Sequence, residues 1–162
     1  MSGTDPDSDP QADAQPPPLL GALMRMPVDA VRRRIFADLN AAGFTDLGEA
    51  HMAVLRYPGP QGRRPSDLAA ELGMSKQAVN YLLGALEQSG YLRRSDDPDD
   101  KRSRRIELTG RGEAVRQTIR ATVADIESEL ASELGDRAFE QLRALLVRLN
   151  DTTFVRGSTT VA

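Results

Sequence analysis

The sequence predicts a mainly α-helical protein with one small β-hairpin. Apolar residues recur at steps of three to five over most of the chain after residue 18, which is helical spacing. Aromatic residues make up only 4% of the 162 residues, so the core must consist of Leu, Val, Ile and Ala, a composition that favours helices over a β-sandwich. Two short strand patterns, 91–94 and 104–108, flank a polar turn that contains proline.

Composition excludes several kinds of chemistry. The chain has no Cys and only one His, which rules out disulfides, thiol chemistry, Cys-ligated zinc and a three-His zinc site. No recognised nucleophile–base pattern or phosphate-binding loop is present, so we expect neither an enzyme nor a cofactor or metal. No apolar run approaches 18 residues, and the N-terminus lacks a secretion signal, so we expect a cytoplasmic protein without a membrane partner.

The N-terminal part contains a tail and one helix. Residues 1–18 carry four Asp and five Pro and almost no bulky apolar side chain, which predicts a disordered acidic, proline-rich tail. Residues 19–44 follow as the first helical unit. Pro27 interrupts its pattern, so we expect either a kink or a helix that starts with Pro27 in its first turn. Gly43 is the expected C-terminal cap.

Three helices and a hairpin are expected over residues 45–112. A short second helix should be capped by Thr45 or Asp46 and end near Leu55. Two more helices, PSDLAAEL and SKQAVNYLLGALEQS, are each followed by glycine, and the hairpin strands come next.

The C-terminal part, 113–153, is predicted to be helical. Thr109 precedes a long helix to about Leu134, which Gly135 ends, and Asp136 should cap a last helix. We expect residues 154–162 to form a frayed tail.

Residues 65–86 have the spacing of a helix-turn-helix. Ala69 supplies the small residue that two steeply crossing helices need, and Gly73 supplies the turn with positive φ. Leu68 and Leu72 give the apolar face of the first helix. The buried stripe of the second helix follows the i, i+3, i+4, i+7 pattern and consists of Val79, Leu82, Leu83 and Leu86. An ordinary helical hairpin inside a bundle is the alternative.

The opposite face of that second helix carries hydrogen-bonding side chains and almost no acid: Ser75, Lys76, Gln77, Asn80 and Tyr81. Gln and Asn pair with adenine edges, and Lys pairs with guanine or phosphate, so we expect this face to read the major groove of DNA.

The hairpin that follows is rich in cations. They are Arg93, Arg94, Lys101, Arg102, Arg104 and Arg105, and a helix-turn-helix followed by a basic hairpin is a winged helix-turn-helix. We expect these cations to contact the DNA backbone, and one or two of the acids Asp96, Asp97, Asp99 and Asp100 to pair with them. Residues 56–120 hold thirteen Lys or Arg against nine Asp or Glu, so a basic middle lies within a chain of net charge -3.

Residues 65–114, and above all the wing DPDDKRSRRIELTGRG, closely resemble the winged-helix core of MarR-family transcriptional regulators. The matching wing positions are Asp100, Arg102, Ser103, Leu108, Thr109 and Gly112. The resemblance implies a homodimeric, ligand-responsive regulator in which Asp100 forms a salt bridge with a wing arginine and Arg102 enters the minor groove. It also implies that the terminal helices, 19–44 and 113–153, form the dimer interface, with an effector site between that interface and the DNA-binding lobe.

The residues themselves also favour a dimer, because apolar helices flank the winged-helix module at both ends of the chain and need a partner. A single compact monomer is the alternative. By analogy with the family, an effector pocket for a small aromatic or anionic compound would be lined by Arg33, Phe36, His51, Met52 and Tyr57. His51 could instead be a hydrogen-bonded surface residue.

The function predicted from the sequence is therefore that of a sequence-specific regulator, most often a repressor in such families. It would bind double-stranded DNA at a palindromic operator as a homodimer and release the DNA on binding a small molecule. The alternative is a winged-helix protein with an architectural or protein-interaction role and no effector.

Overall fold

A computed structural model describes residues 18–55, 62–97 and 104–158 of the chain. In order, the elements are α1 (Leu20–Ala41), α2 (Glu49–Leu55), α3 (Pro65–Leu72), α4 (Lys76–Gln88), β1 (Leu92–Asp96), β2 (Arg104–Leu108), α5 (Gly110–Leu134), α6 (Asp136–Asn150) and α7 (Thr153–Ser158). The prediction of a mainly helical protein with one hairpin is confirmed.

The helix-turn-helix forms where the sequence predicts it. Pro65 is the first residue of α3, where its missing N–H costs nothing, and Gly73 ends the helix in the left-handed conformation with φ of 60°. The Ser75 hydroxyl accepts a hydrogen bond from the backbone N–H of Ala78 and thereby caps α4. Ala69 is buried at the contact of the two helices.

The two strands pair antiparallel, with Leu92 opposite Leu108 and Asp96 opposite Arg104. Arg63 extends this sheet by one rung, because its N–H and C=O both bond to the backbone of Ile106. The first strand extends two residues further than expected, to Asp96, since the pairing continues into the acidic segment.

The hydrophobic core is built around α4. Leu39 of α1, Val54 and Leu55 of α2, and Val115 of α5 converge on a stripe of α4, together with further buried residues of α3 and the hairpin. The predicted stripe of α4 is confirmed: Val79, Leu82, Leu83 and Leu86 are all at most 7% exposed. The core therefore fixes which face of α4 points outward.

Of the two alternatives expected for α1, a start at Pro27 is wrong, because the helix begins at Leu20 and continues through Pro27. Three further boundaries differ from the prediction. No helix begins at Thr45 or Asp46: α2 starts at Glu49, because the Asp46 carboxylate is held by Tyr91 and Arg111 instead. Helix α6 starts at Asp136 with Gly135 in the cap position and no side-chain cap.

The last of these differences lies at the C-terminus. A frayed tail was expected from residue 154, but residues Thr153–Ser158 form α7. Thr152 turns the chain by donating from its hydroxyl to the carbonyl of Leu149, and α7 packs against α6. The predicted tail over residues 1–17 lies outside the described residues.

Candidate nucleic-acid interface

The outward face of α4 carries all five predicted major-groove residues. Ser75, Lys76, Gln77, Asn80 and Tyr81 are exposed, and the Tyr81 ring is 78% exposed. Asn80 and Tyr81 are exposed, whereas Leu83 and Leu86 of the same helix are buried. A protruding face of amide, ammonium and phenol groups can approach base edges without first breaking a contact to the protein.

The described arginines of the wing all form ion pairs within the protein. Arg93 pairs with Glu107 at 2.8 Å, Arg94 pairs with Glu87 of α4 at 3.1 Å, and Arg104 pairs with Asp96. Hydrogen bonds from Ser95 and Arg93 hold the pKa of Glu107 below its ordinary value, so this carboxylate is ionised at neutral pH. Side chains held in this way have a defined direction when DNA approaches.

Asp97 is the buried anchor of the wing. Its carboxylate is fully buried and binds the Nε atoms of Arg64, at the start of α3, and of Arg105, on β2, at 2.6 and 3.0 Å. Arg105 is only 21% exposed, so this predicted DNA contact faces a protein carboxylate. The expectation that one or two loop acids pair with wing arginines holds for Asp96 and Asp97. Removing one partner of such a buried pair would leave an uncompensated charge.

Asp100, Lys101 and Arg102 lie outside the described residues, as does Tyr57. Nothing in the structure therefore bears on the predicted salt bridge of Asp100 or on the path of Arg102.

The corner between the end of α4 and the start of α5 is a dense polar cluster. Tyr91 is fully buried, its hydroxyl donates to the Asp46 carboxylate, and the Arg111 guanidinium lies 4.4 Å from the centre of its ring. The hydrogen bond from Tyr91 lowers the pKa of Asp46. Burial raises the pKa of Tyr91, and the hydrogen bond to Asp46 is the second cause of that rise. At neutral pH the pair is therefore an ionised carboxylate and a neutral phenol.

A cavity of about 450 Å³ lies between α1, α2 and the first turns of α5. Its lining is mostly apolar and includes Phe36 and Met52, as predicted. Three guanidinium groups, of Arg32, Arg116 and Arg120, and the carboxylate of Glu49 complete it. The volume is within the range of small-molecule sites in proteins.

The other predicted pocket residues lie elsewhere. Arg33 and His51 are not among the lining residues of the cavity. His51 accepts a hydrogen bond at Nδ1 from the backbone N–H of Gly48, three residues before it, which is the hydrogen-bonded role considered as the alternative. Neighbouring Arg32 lines the cavity in place of Arg33.

Large apolar side chains are exposed at both ends of the chain. In α1 and just before it they are Leu19, Leu20, Leu23, Met24, Met26 and Val28. At the end of α5, in α6 and in α7 they are Leu134, Leu142, Leu145, Leu146, Val147 and Phe154. The predicted apolar residues of α6 are thus present, yet no residue of that helix is buried.

Residues 18–55, 62–97 and 104–158 contain neither a membrane-spanning helix nor a cluster of metal ligands. No helix there is long and apolar enough to cross a bilayer. Within the same ranges, no group of three or more His, Asp or Glu could hold a metal ion.

Comparison with known proteins identifies the family. A family model described as MarR family matches residues 45–103. The HTH-type transcriptional regulator PecS of Dickeya dadantii is 30% identical over 145 residues, which are 86% of this chain and 84% of PecS. The chain belongs to the MarR family of transcriptional regulators.

Solved MarR-family structures share the fold. Apo MarR from E. coli is 25% identical with a TM-score of 0.62, and the match covers 82% of this chain and 97% of MarR. A point mutant of S. aureus MepR bound to an oligodeoxyribonucleotide is 24% identical with a TM-score of 0.58, over 81% and 95% of the two chains. The predicted winged helix-turn-helix and the predicted family are confirmed.

Sequence reasoning missed two residues of this MarR-family chain that the geometry singles out, and did not distinguish a third from its neighbours. Arg111 lies inside the motif Leu108-Thr109-Gly110-Arg111-Gly112, but its partners are Asp46 and Tyr91, 65 and 20 residues away. Arg120 follows Arg116 by one helical turn, and that spacing on α5 was the available signal for a cationic cavity wall. Asp97 was one of four acids in one segment, and only burial distinguishes it.

Proposed function

We propose that this chain is a homodimeric repressor that binds a palindromic operator and releases it when a small aromatic anion occupies the cavity. The observation that carries the proposal is the outward face of α4. Its five exposed side chains can read base edges, and the buried stripe on the other side holds that face outward. Membership of a family of transcriptional regulators favours this role over catalysis.

The wing supplies the backbone contacts in this proposal. Arg93 and Arg104 are 69% and 60% exposed, so a phosphate can share or replace the carboxylate that each one holds. Lys101 and Arg102 belong to the same basic segment of the sequence, and by the family resemblance we propose Arg102 as the contact in the minor groove. We assign Arg105 a structural role with Asp97, because its guanidinium would have to leave a buried carboxylate to reach DNA.

Related proteins indicate which ligands to test first. S. aureus MepR, which shares the fold, has been solved bound to ethidium bromide, and a point mutant of it has been solved bound to an oligodeoxyribonucleotide. Both are properties of MepR, and for this chain they support testing duplex DNA and a small organic molecule.

Dimerisation is supported by the exposed apolar residues of α1 and α6. Contiguous apolar surface of this kind is rare on monomers and marks an interaction site. A second copy of the chain would bury this apolar surface. Two-fold symmetry would then place the two copies of α4, the proposed recognition helices, about 34 Å apart on successive major grooves.

The oligomeric state is tested by sedimentation equilibrium at micromolar concentration. We expect the wild type to be a dimer and Leu145→Glu, which places a charge at a 58% exposed leucine, to be a monomer. Gln141→Glu adds the same charge at a polar position of α6 and should leave the dimer intact. A monomeric wild-type protein would contradict the proposal.

The cavity favours an aromatic anion for two reasons. Its apolar lining, including Ile35, Phe36 and Ile119, suits a ring. Of its cations, Arg32 is paired with Glu49 and Arg116 with Glu113. Arg120 forms no salt bridge within the described residues and has only a weaker electrostatic interaction with Glu113, so we propose that Arg120 binds the negative charge.

The ligand class is tested with benzoate and benzamide, which share a ring but differ in charge. We expect benzoate to lower operator affinity more than benzamide does, and Arg120→Met to remove the difference. A typical coupling would be about 5–150-fold in DNA affinity. Equal effects of the two compounds on the wild type would contradict an anion site.

The operator is identified by selecting bound sequences from random duplex DNA at physiological salt. A palindrome with half-sites about one helical turn apart is the expected result. The second candidate function is architectural binding of DNA without readout of base edges. The wing arginines would also serve this function, because contacts to phosphate carry no sequence information. Architectural binding predicts no enrichment and a steep salt dependence alone.

A further inference from the structure

The end of the recognition helix is held by the first residues of α5 through three consecutive carbonyl groups. The carbonyl of Ser89 accepts from Arg111 Nη1 at 3.1 Å, that of Gly90 from the Thr109 hydroxyl at 2.6 Å, and that of Tyr91 from the Thr109 N–H at 3.0 Å. These groups follow directly on α4, where a helix leaves carbonyls without partners. We call the set of residues 89–91 and 109–112 the corner joint.

Arg111 connects the corner joint to a third element. Its Nη2 donates to the Tyr91 hydroxyl at 2.9 Å and to the Asp46 carboxylate, in the loop before α2, at 3.4 Å. The guanidinium also stacks on the Tyr91 ring. A single side chain therefore links the end of α4, the start of α5 and the segment leading into α2.

Close packing leaves the corner joint no space in which to deform. A Cβ placed on Gly112 would lie 2.2 Å from the Tyr91 carbonyl oxygen, so α5 and the corner are already in closest contact. The next turns of α5, from Gly112 to Ile119, line the cavity. A displacement of α5 there is passed to the recognition helix because the joint between them is stiff.

We propose that Arg111 is a positioning residue that fixes the angle between the recognition helix and α5 and thereby sets the half-site spacing that the dimer accepts. This inference rests on the proposed function, since spacing has meaning only for a dimer on a palindrome. Inserting one base pair moves a half-site by about 3.4 Å and rotates it by about 35°. With a stiff joint the recognition helix cannot adjust to the displaced half-site, whereas with a loosened joint it can.

The test compares wild type with Arg111→Met, which keeps an unbranched apolar stem and removes the five donors of the guanidinium. Three duplexes are used in fluorescence anisotropy: the one selected by the wild type, the same duplex with one base pair inserted between the half-sites, and a single half-site. We expect the wild type to bind the inserted duplex at least about tenfold more weakly than the selected one, and Arg111→Met to discriminate by less than about threefold. Half-site affinity should be equal for both proteins.

Further variants separate positioning from other roles. Arg111→Lys keeps the charge but not the planar fork, and should show intermediate discrimination. Arg137→Met, at an exposed arginine at the start of α6 outside the joint, should behave as wild type. Tyr91→Phe removes only the hydroxyl that Arg111 and Asp46 share, and is a second test should Arg111→Met fail to fold. It should also relax the spacing preference.

Three results would overturn the inference. If Arg111→Met, or Tyr91→Phe in its place, weakens binding to all duplexes by one factor, the joint contributes stability alone. If Arg111→Met lowers the half-site salt slope by about one, Arg111 contacts a phosphate directly. If the wild type selects no palindrome or ignores the insertion, the proposed function fails, and the inference fails with it.

Discussion

Gly112 is the position where the smallest possible substitution should have the largest effect. An added methyl group would lie 2.2 Å from the Tyr91 carbonyl oxygen and 2.9 Å from Cδ2 of Leu108. The leucine can rotate away, but the carbonyl belongs to the backbone and itself accepts the Thr109 N–H. Helix α5 must therefore move away from the corner.

The required movement sets the magnitude. The methyl carbon and the oxygen must separate by roughly 0.8 Å to reach even a tight contact, which strains the hydrogen bonds of Thr109 to Gly90 and Tyr91. Overpacking of this kind costs about 1–3 kcal/mol, and the gain in helix propensity from Gly to Ala offsets up to about 1 kcal/mol. We expect a net loss of about 1–2 kcal/mol, or roughly 2–8 °C in Tm for a chain of this size.

The assay is urea unfolding followed by circular dichroism, at one fixed protein concentration because a dimer makes apparent stability concentration-dependent. Gly110→Ala is the matched control. It lies two residues earlier in α5, no atom is within 4 Å of an added Cβ, and its stability should equal or slightly exceed that of the wild type. If Gly112→Ala were as stable as Gly110→Ala, the corner would be soft, and the argument from its close packing would be wrong.

Three other predictions concern stability, pH and DNA readout. Gly84→Ala should stabilise the protein by up to about 1 kcal/mol in urea unfolding, because Gly84 is inside α4 with open space around it, and any loss would reveal an unseen contact. Asp46→Asn should be less stable than wild type at pH 7. Because the folded-state pKa of Asp46 is lowered, the ionised carboxylate stabilises the folded protein above pH 3.8, which is its ordinary pKa. This stabilisation is lost as the pH falls through the lower folded-state pKa. The difference should therefore narrow at pH 3, and a pH-independent difference would refute this origin. Asn80→Ala should relax base preference at one position at a cost of about 1–3 kcal/mol, whereas Arg102→Ala should weaken binding to all sequences and reduce the salt slope by about one, as measured by anisotropy on cognate and scrambled duplexes.

Local sequence rules predicted the DNA-binding elements because local interactions decide them. Ser75 caps the helix that follows it, Gly73 provides the one conformation that ends α3, and the stripe of α4 is a matter of spacing. These signals reach over no more than about two helical turns. The prediction of the hairpin depends equally on neighbouring residues.

Asp46 shows why the remainder could not be predicted. By local rules an aspartate before a helical segment is a cap, and the helix should begin with it. In the folded chain Tyr91 and Arg111 hold its carboxylate, and α2 begins three residues later at Glu49. These contacts join residues that are 45 and 65 positions apart in the sequence. They depend on the tertiary fold, which a single sequence does not display.

Arg33, one of the residues predicted for an effector pocket, does not line the cavity for a related reason. Family analogy indicated the region but not the rotation of α1 about its axis. Consecutive residues of a helix point about 100° apart, so Arg33 and Arg32 face different surroundings although they are neighbours in sequence. The packing of α1 on α5, where Asp38 accepts a hydrogen bond from buried Thr122, decides which arginine faces the cavity.

Helix α5 gives the proposed regulator a direct route between ligand and DNA. Its first residues hold the recognition helix, its next turns line the cavity, and its end leads into the apolar helix α6. With 25 residues it spans about 37 Å, and it contains no proline or glycine after Gly112 at which it could bend. Under the proposed function, a ligand that shifts the start of α5 would move the recognition helix relative to the dimer contacts through the corner joint. On this basis a Gly–Pro interruption in the middle of α5 should reduce the effect of ligand on operator affinity, and substitutions at Arg120 should reduce ligand binding itself.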